Sequence, residues 1–165
     1  MRIALATGYA PSLARVRGPL VRAMLAAGHR VTALAPEDDG ARRELARLGA
    51  DFLPIPLQRA GLNPLADLRC LGFLRRTLRG LAPDLLLSAS PKAVIWGSLA
   101  AEQAGVPRVF ALVTGLGRAF FLDGERPGPG RRFLNLVARR LYGRALAACS
   151  GVLFQNPDDL ALFRR

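Results

Sequence analysis

Short apolar runs alternate with longer amphipathic ones six times along this chain, and few folds accommodate that rhythm. The apolar runs are Arg2–Thr7, His29–Ala35, Asp51–Leu57, Leu85–Ala89, Arg108–Val113 and Gly151–Phe154. Near-continuous apolar strands separated by helices must pair in parallel, because each helix returns the chain to the edge where the last strand began. The spacing predicts helices over Ser12–Ala27, Gly40–Leu48, Pro64–Leu81, Pro91–Gln103 and Arg131–Ala148. Ser12 is placed to cap the first and Gly28 to end it, Gly49 and Gly105 stop two others, and Pro91 suits a first helical position. Asn156-Pro157-Asp158-Asp159 opens a last helix. In the Pro64–Leu81 helix, Leu65, Leu68, Leu71, Leu74 and Leu78 recur three or four apart and predict the buried stripe. Pro54 and Pro56 suggest that the third strand lies at an edge. The fold class is therefore α/β, with a doubly wound parallel sheet.

The 165 residues suit one domain with a substantial core, and the 51% hydrophobic content excludes disorder. Two cysteines cannot build a disulfide framework, and one histidine excludes a multi-histidine metal site. Arg or Gly interrupts every apolar run well short of the ~20 residues a membrane-spanning helix needs. The N-terminus is apolar too briefly for a signal peptide, so a cytoplasmic location with reduced thiols is expected. The charge is lopsided: 24 basic residues face 12 acidic ones, for a formal net charge of +12. Such a balance favours an anionic partner, whether nucleic acid, a phosphate-bearing ligand or an anionic membrane. Nucleic acid is disfavoured because no recognised binding motif accompanies the charge.

In an open parallel sheet, ligands bind at the carboxyl ends of the strands, where helix N-termini present free N–H groups. That rule selects Gly8–Ser12, Ala35–Gly40, Ser88–Lys92, Thr114–Arg118 and Gln155–Asp159. In Ser88-Ala89-Ser90-Pro91-Lys92, two hydroxyls, a helix start and an ammonium converge, a set suited to phosphate or pyrophosphate. Lys92 is the sole lysine in a chain that otherwise uses arginine, which argues for a compact point charge there; the competing reading is an exposed first-turn residue. Thr114-Gly115-Leu116-Gly117 lets backbone approach a ligand closely. A dinucleotide fingerprint would need a Gly-rich G-x-G-x-x-G where the chain has Gly8-Tyr9-Ala10-Pro11-Ser12-Leu13, so a nicotinamide enzyme is disfavoured. His29 reads as a turn residue, Cys70 and Cys149 as small core side chains, and Asp158 and Asp159 as first-turn carboxylates. The stretch Arg131–Leu141, with Phe120-Phe121 before it, fits either an interfacial membrane anchor or a docked helix with a solvated arginine side.

Taken together, Gly28-His29-Arg30-Val31, Ile55-Pro56-Leu57-Gln58-Arg59 with Asn63-Pro64, Pro83-Asp84, Ser90-Pro91-Lys92, Val113-Thr114-Gly115-Leu116-Gly117 and Phe154-Gln155-Asn156-Pro157-Asp158-Asp159 resemble the N-terminal half of family 4 glycosyltransferases. The nearest subgroup is bacterial enzymes that build glycans on polyprenyl diphosphate carriers. The resemblance covers nearly the whole chain and implies one Rossmann-like half of a GT-B fold, over residues 1–165 and incomplete at the C-terminus. It implies retaining transfer from a nucleotide sugar to a lipid-linked or polysaccharide acceptor, with no metal and no cofactor. By position it implies substrate contacts from Arg17, Ser90, Lys92, Thr114, Gly115, Gly117 and Asn156, with no catalytic residue assigned. Relatives often carry His beside the basic residue matched by Arg17; Val16 stands there instead, which argues against an acid–base role for that helix. The family's two donor-site glutamates, separated by seven intervening residues in the second domain, have no counterpart: Glu37 with Glu44 and Glu102 with Glu125 are at the wrong spacing and in the wrong half. The expectation is an acceptor-side half, peripheral on the inner face of the plasma membrane and inactive alone. A non-catalytic anchoring subunit of a split transferase, with the donor domain on a separate chain, is the alternative. A generic nucleotide-binding domain is a third reading.

Overall fold

The structure is a computed structural model that describes residues 1–58, 63–114 and 129–163; for residues 129–135, 159, 162 and 163 it describes the backbone alone. Among the described residues, six strands, β1 (Arg2–Thr7), β2 (Arg30–Ala35), β3 (Asp51–Pro54), β4 (Leu85–Ala89), β5 (Val109–Val113) and β6 (Gly151–Phe154), form one sheet in the order β3-β2-β1-β4-β5-β6. Every pairing is parallel. This is the doubly wound arrangement expected from the alternation, and β3 with its prolines is indeed at an edge.

Among the described residues, seven helices flank it: α1 (Pro11–Arg15), α2 (Gly18–Ala26), α3 (Asp39–Leu48), α4 (Pro64–Leu81), α5 (Pro91–Ala104), α6 (Pro129–Ala147) and α7 (Pro157–Phe163). Alternation along β1 feeds two cores. Ile3 and Leu5 join Leu13 of α1, Val21 of α2 and Leu45 of α3 on one face. Ala4 and Ala6 join Leu74 and Leu78 of α4, Val94 and Ala100 of α5, and Tyr142 and Ala145 of α6 on the other. The winding reverses between β1 and β4, so the carboxyl ends of those two strands flank the crevice where such sheets bind ligands.

Three local expectations need correction. The first helix is not continuous from Ser12 to Ala27. Pro19 cannot donate to the carbonyl of Arg15, and its ring would clash there, so α1 ends at Arg15 and α2 restarts at Gly18. Arg17 lies in the break with φ −102° and ψ 4°, as the N-cap of α2. Ser12 does not cap α1, because its Oγ donates to the Tyr9 carbonyl at 2.7 Å. Finally, β3 stops at Pro54 rather than Leu57. The Leu57 amide turns back to the Ile55 carbonyl at 2.8 Å, and Pro56 has no amide to give the sheet.

The register of α4 also differs. Cys70, Leu74 and Leu78 are its buried positions, while Leu65 and Leu68 are 67% and 58% exposed. Asn63 caps the helix, its Oδ1 accepting from the amides of Leu65 and Ala66 at 3.1 and 3.2 Å.

Candidate substrate site at the carboxyl ends of the strands

Two loops meet where the winding reverses. Thr7, the last residue of β1, is level with Ala89, the last residue of β4. One residue further on, the Gly8 amide donates to Ser90 Oγ at 3.0 Å. Ser90 sits at φ 82° and ψ 146°, a region that L-residues rarely occupy and that costs on the order of 1–3 kcal/mol. That geometry aims its hydroxyl across the crevice, and no side chain caps the first turn of α5. The Thr7 hydroxyl, buried, accepts from the Tyr9 amide at 3.4 Å and lies 3.5 Å from Ser12 Oγ. The β1–α1 turn is thus pinned from both sides.

Lys92, in the first turn of α5, is not a free cation. Its Nζ donates to Asp67 Oδ1 at 2.8 Å, and the two side chains are only 17% and 13% exposed. Two unit charges 4 Å apart interact by about 4 kcal/mol at an effective dielectric of ~20. For an anion beside this pair, attraction to the ammonium and repulsion from the carboxylate are therefore comparable and largely cancel. Lys92 is therefore a paired ammonium rather than the lone point charge its sequence context suggests. Asp67 was missed because its partner lies on another helix. Its signal was topological, since α4 and α5 both start at the carboxyl edge and pack side by side, bringing their first turns together. Beneath the pair lies Cys70, whose thiol is pushed up to about 11 by burial and by the Asp67 carboxylate, with Lys92 opposing. It stays protonated and acts as core, as expected. Cys149 is likewise raised by burial, and its Sγ donates to Ser98 Oγ at 3.3 Å.

Arg17 is half-buried, and its Nε is sealed from solvent with no hydrogen-bond partner among the described residues. Burial lowers the pKa of its guanidinium. Among the described residues, no hydrogen bond or ion pair joins it to Ser90 or Lys92. Thr114 follows β5 and is partly buried; Asn156 is exposed in the turn before α7. Gly115 and Gly117 lie outside the described residues. The structure therefore brings Ser90 to the β1 turn and Lys92 to Asp67, and leaves Arg17 and Asn156 on separate elements. No group of His, Cys, Asp and Glu suited to a metal ion occurs among the described residues.

Residues 13–165 match the glycosyl transferase 4-like domain. The chain belongs to that family. It is similar to the N,N'-diacetylbacillosaminyl-diphospho-undecaprenol alpha-1,3-N-acetylgalactosaminyltransferase of Campylobacter jejuni, at 29% identity over 99% of this chain and 42% of that protein. Among solved structures, a UDP-N-acetylglucosamine 2-epimerase superposes with a TM-score of 0.65 at 19% identity, over 100% of this chain and 45% of the other. Acinetobacter baumannii MurG superposes with 0.58 at 15% identity, over 95% and 42%. Those two likenesses establish the shared Rossmann-like half-fold, which transferases and epimerases both use. The chain spans less than half the length of each of these proteins.

On this glycosyl transferase 4-like domain, the basic residues cluster on helix exteriors. Arg69, Arg75, Arg76 and Arg79 of α4 are exposed. On α6, Tyr142 and Ala145 dock against the core, while Leu136, Arg139 and Arg140 face outward. Phe120-Phe121 and the side chains of Arg131 and Arg132 lie outside the described residues. No helix among the described residues is long and apolar enough to cross a membrane.

Proposed function

We propose that this chain is the acceptor-side half of a retaining glycosyltransferase that moves a sugar from a nucleotide-sugar donor to a lipid-linked or polysaccharide acceptor. The family match over residues 13–165 carries the reading. The Campylobacter relative, whose name states a sugar-diphospho-undecaprenol acceptor, supports the acceptor class. In this reading the crevice between the β1 and β4 turns receives the acceptor head group. Ser90 and Lys92 line it and Thr114 follows β5 at the same edge of the sheet, while Arg17, Gly115, Gly117 and Asn156 are further substrate contacts that the family resemblance implies. Lys92→Ala in the complete enzyme is expected to raise the acceptor KM about tenfold or more, as loss of a charge-assisted hydrogen bond does. Unchanged KM and kcat would place Lys92 outside the site. The nucleotide sugar belongs to the other half of the fold, on the same polypeptide or on a partner subunit, and no cofactor or metal takes part.

We also propose that the domain rests on the inner face of the plasma membrane. The support is the formal charge of +12 together with the outward leucine and arginines of α6. Sedimentation with anionic liposomes is expected at low salt and should fall away as salt rises, because exposed charges are screened beyond about 8–10 Å at physiological ionic strength. Equal binding to neutral liposomes at every salt concentration would contradict it.

A further inference from the structure

The Asp67–Lys92 pair is the least solvent-exposed ion pair among the described residues, and its two unused ends point to a ligand of a particular kind. Lys92 Nζ has three donors and gives one to Asp67 Oδ1 at 2.8 Å. Asp67 Oδ2 accepts no hydrogen bond from any described residue. At 17% and 13% exposure, each side chain keeps a window to solvent. The pair thus holds a fixed donor beside a fixed acceptor, with no net charge, at the edge of the sheet where ligands bind.

We propose that Asp67 and Lys92 together read the hydroxyls of the acceptor's sugar ring, with Asp67 as a specificity-determining residue. Neighbouring ring hydroxyls each donate and accept, so one can give its proton to Asp67 Oδ2 while the next accepts from Lys92 Nζ. A diphosphate offers acceptors only, and Asp67 repels it. This assignment rests on the acceptor-side reading above and divides the acceptor: the pair takes the sugar, and the diphosphate falls elsewhere in the crevice. Sites built to bond a substrate hydroxyl discriminate strongly against analogues that lack it, because their own polar groups are then left unpaired.

The test is titration of the chain with two probes, N-acetylglucosaminyl diphosphate farnesol and farnesyl diphosphate. The wild-type protein should bind the sugar-bearing probe more tightly. Asp67→Asn and Lys92→Met should each weaken that probe about 10–100-fold, leaving farnesyl diphosphate within about twofold. Asp67→Asn keeps the side-chain shape, and matching thermal unfolding profiles will show that each variant is folded; should Lys92→Met unfold, Lys92→Gln replaces it. If Lys92→Met weakens both probes alike and Asp67→Asn strengthens both, Lys92 serves the diphosphate and the sugar assignment is overturned while the acceptor reading stands. If neither variant changes either affinity, the pair only ties α4 to α5. A wild-type chain that binds neither probe overturns the acceptor reading itself.

Discussion

Leu74→Ala is expected to destabilise the domain by about 2–5 kcal/mol, the usual range for emptying a well-packed leucine site. Leu74 is 1% exposed and packs, with Cys70 and Leu78, into the core shared by α4, α5 and the sheet. The same substitution at Leu65 or Leu68, which lie 67% and 58% exposed, should change stability by no more than about 0.5 kcal/mol. Urea unfolding midpoints of the three variants check this directly, provided the slopes agree. Equal losses at all three positions would mean that the first turn of α4 is buried, as the sequence periodicity implies.

The second large effect is expected at Gly97, where α5 crosses the sheet. A Cβ there would come within 2.5 Å of Ser88 Oγ, while Ser88 Cβ and Leu86 Cδ2 stay at 3.6 and 3.7 Å. Ser88 is fully buried, and its Oγ has no hydrogen-bond partner among the described residues. Gly97→Ala should therefore cost about 1–3 kcal/mol from overpacking, despite the helix propensity gained. Ser88→Ala removes the atom in the way, together with a buried unpaired hydroxyl, so on its own it should be neutral or stabilising. In the Ser88→Ala background, Gly97→Ala should become neutral or stabilise by up to about 1 kcal/mol. Such a coupling of the two sites, of about 1–3 kcal/mol, is read from a double-mutant cycle by thermal or urea unfolding. Additive effects would show that the close approach is relieved by backbone movement instead.

These two sites also show what the residues alone reveal. The boundaries of β1, β4, β6 and α4 follow from local pattern, and the parallel doubly wound class from the alternation of strand and helix; the strand order β3-β2-β1-β4-β5-β6 comes from the structure. The α4 stripe differs at Leu65 and Leu68 because periodicity gives the face of a helix but not how far along that face the packing extends. The break at Val16–Arg17 was written in Gly18-Pro19, a signal outweighed by the apolar rhythm on either side. Ser90 and Lys92 could be placed at the carboxyl edge from topology alone. The Ser90 φ of 82°, the bond from Gly8 and the Asp67 partner of Lys92 depend on residues up to 82 positions apart, which no local spacing encodes.

The acceptor-side assignment is tested most directly by titrating the 165-residue chain with two ligands under identical conditions, N-acetylglucosaminyl diphosphate farnesol and UDP-N-acetylglucosamine. The account predicts saturable binding of the lipid-linked sugar and none of the nucleotide sugar at matched concentrations. Binding of the nucleotide sugar as tight as, or tighter than, that of the lipid-linked sugar would contradict it.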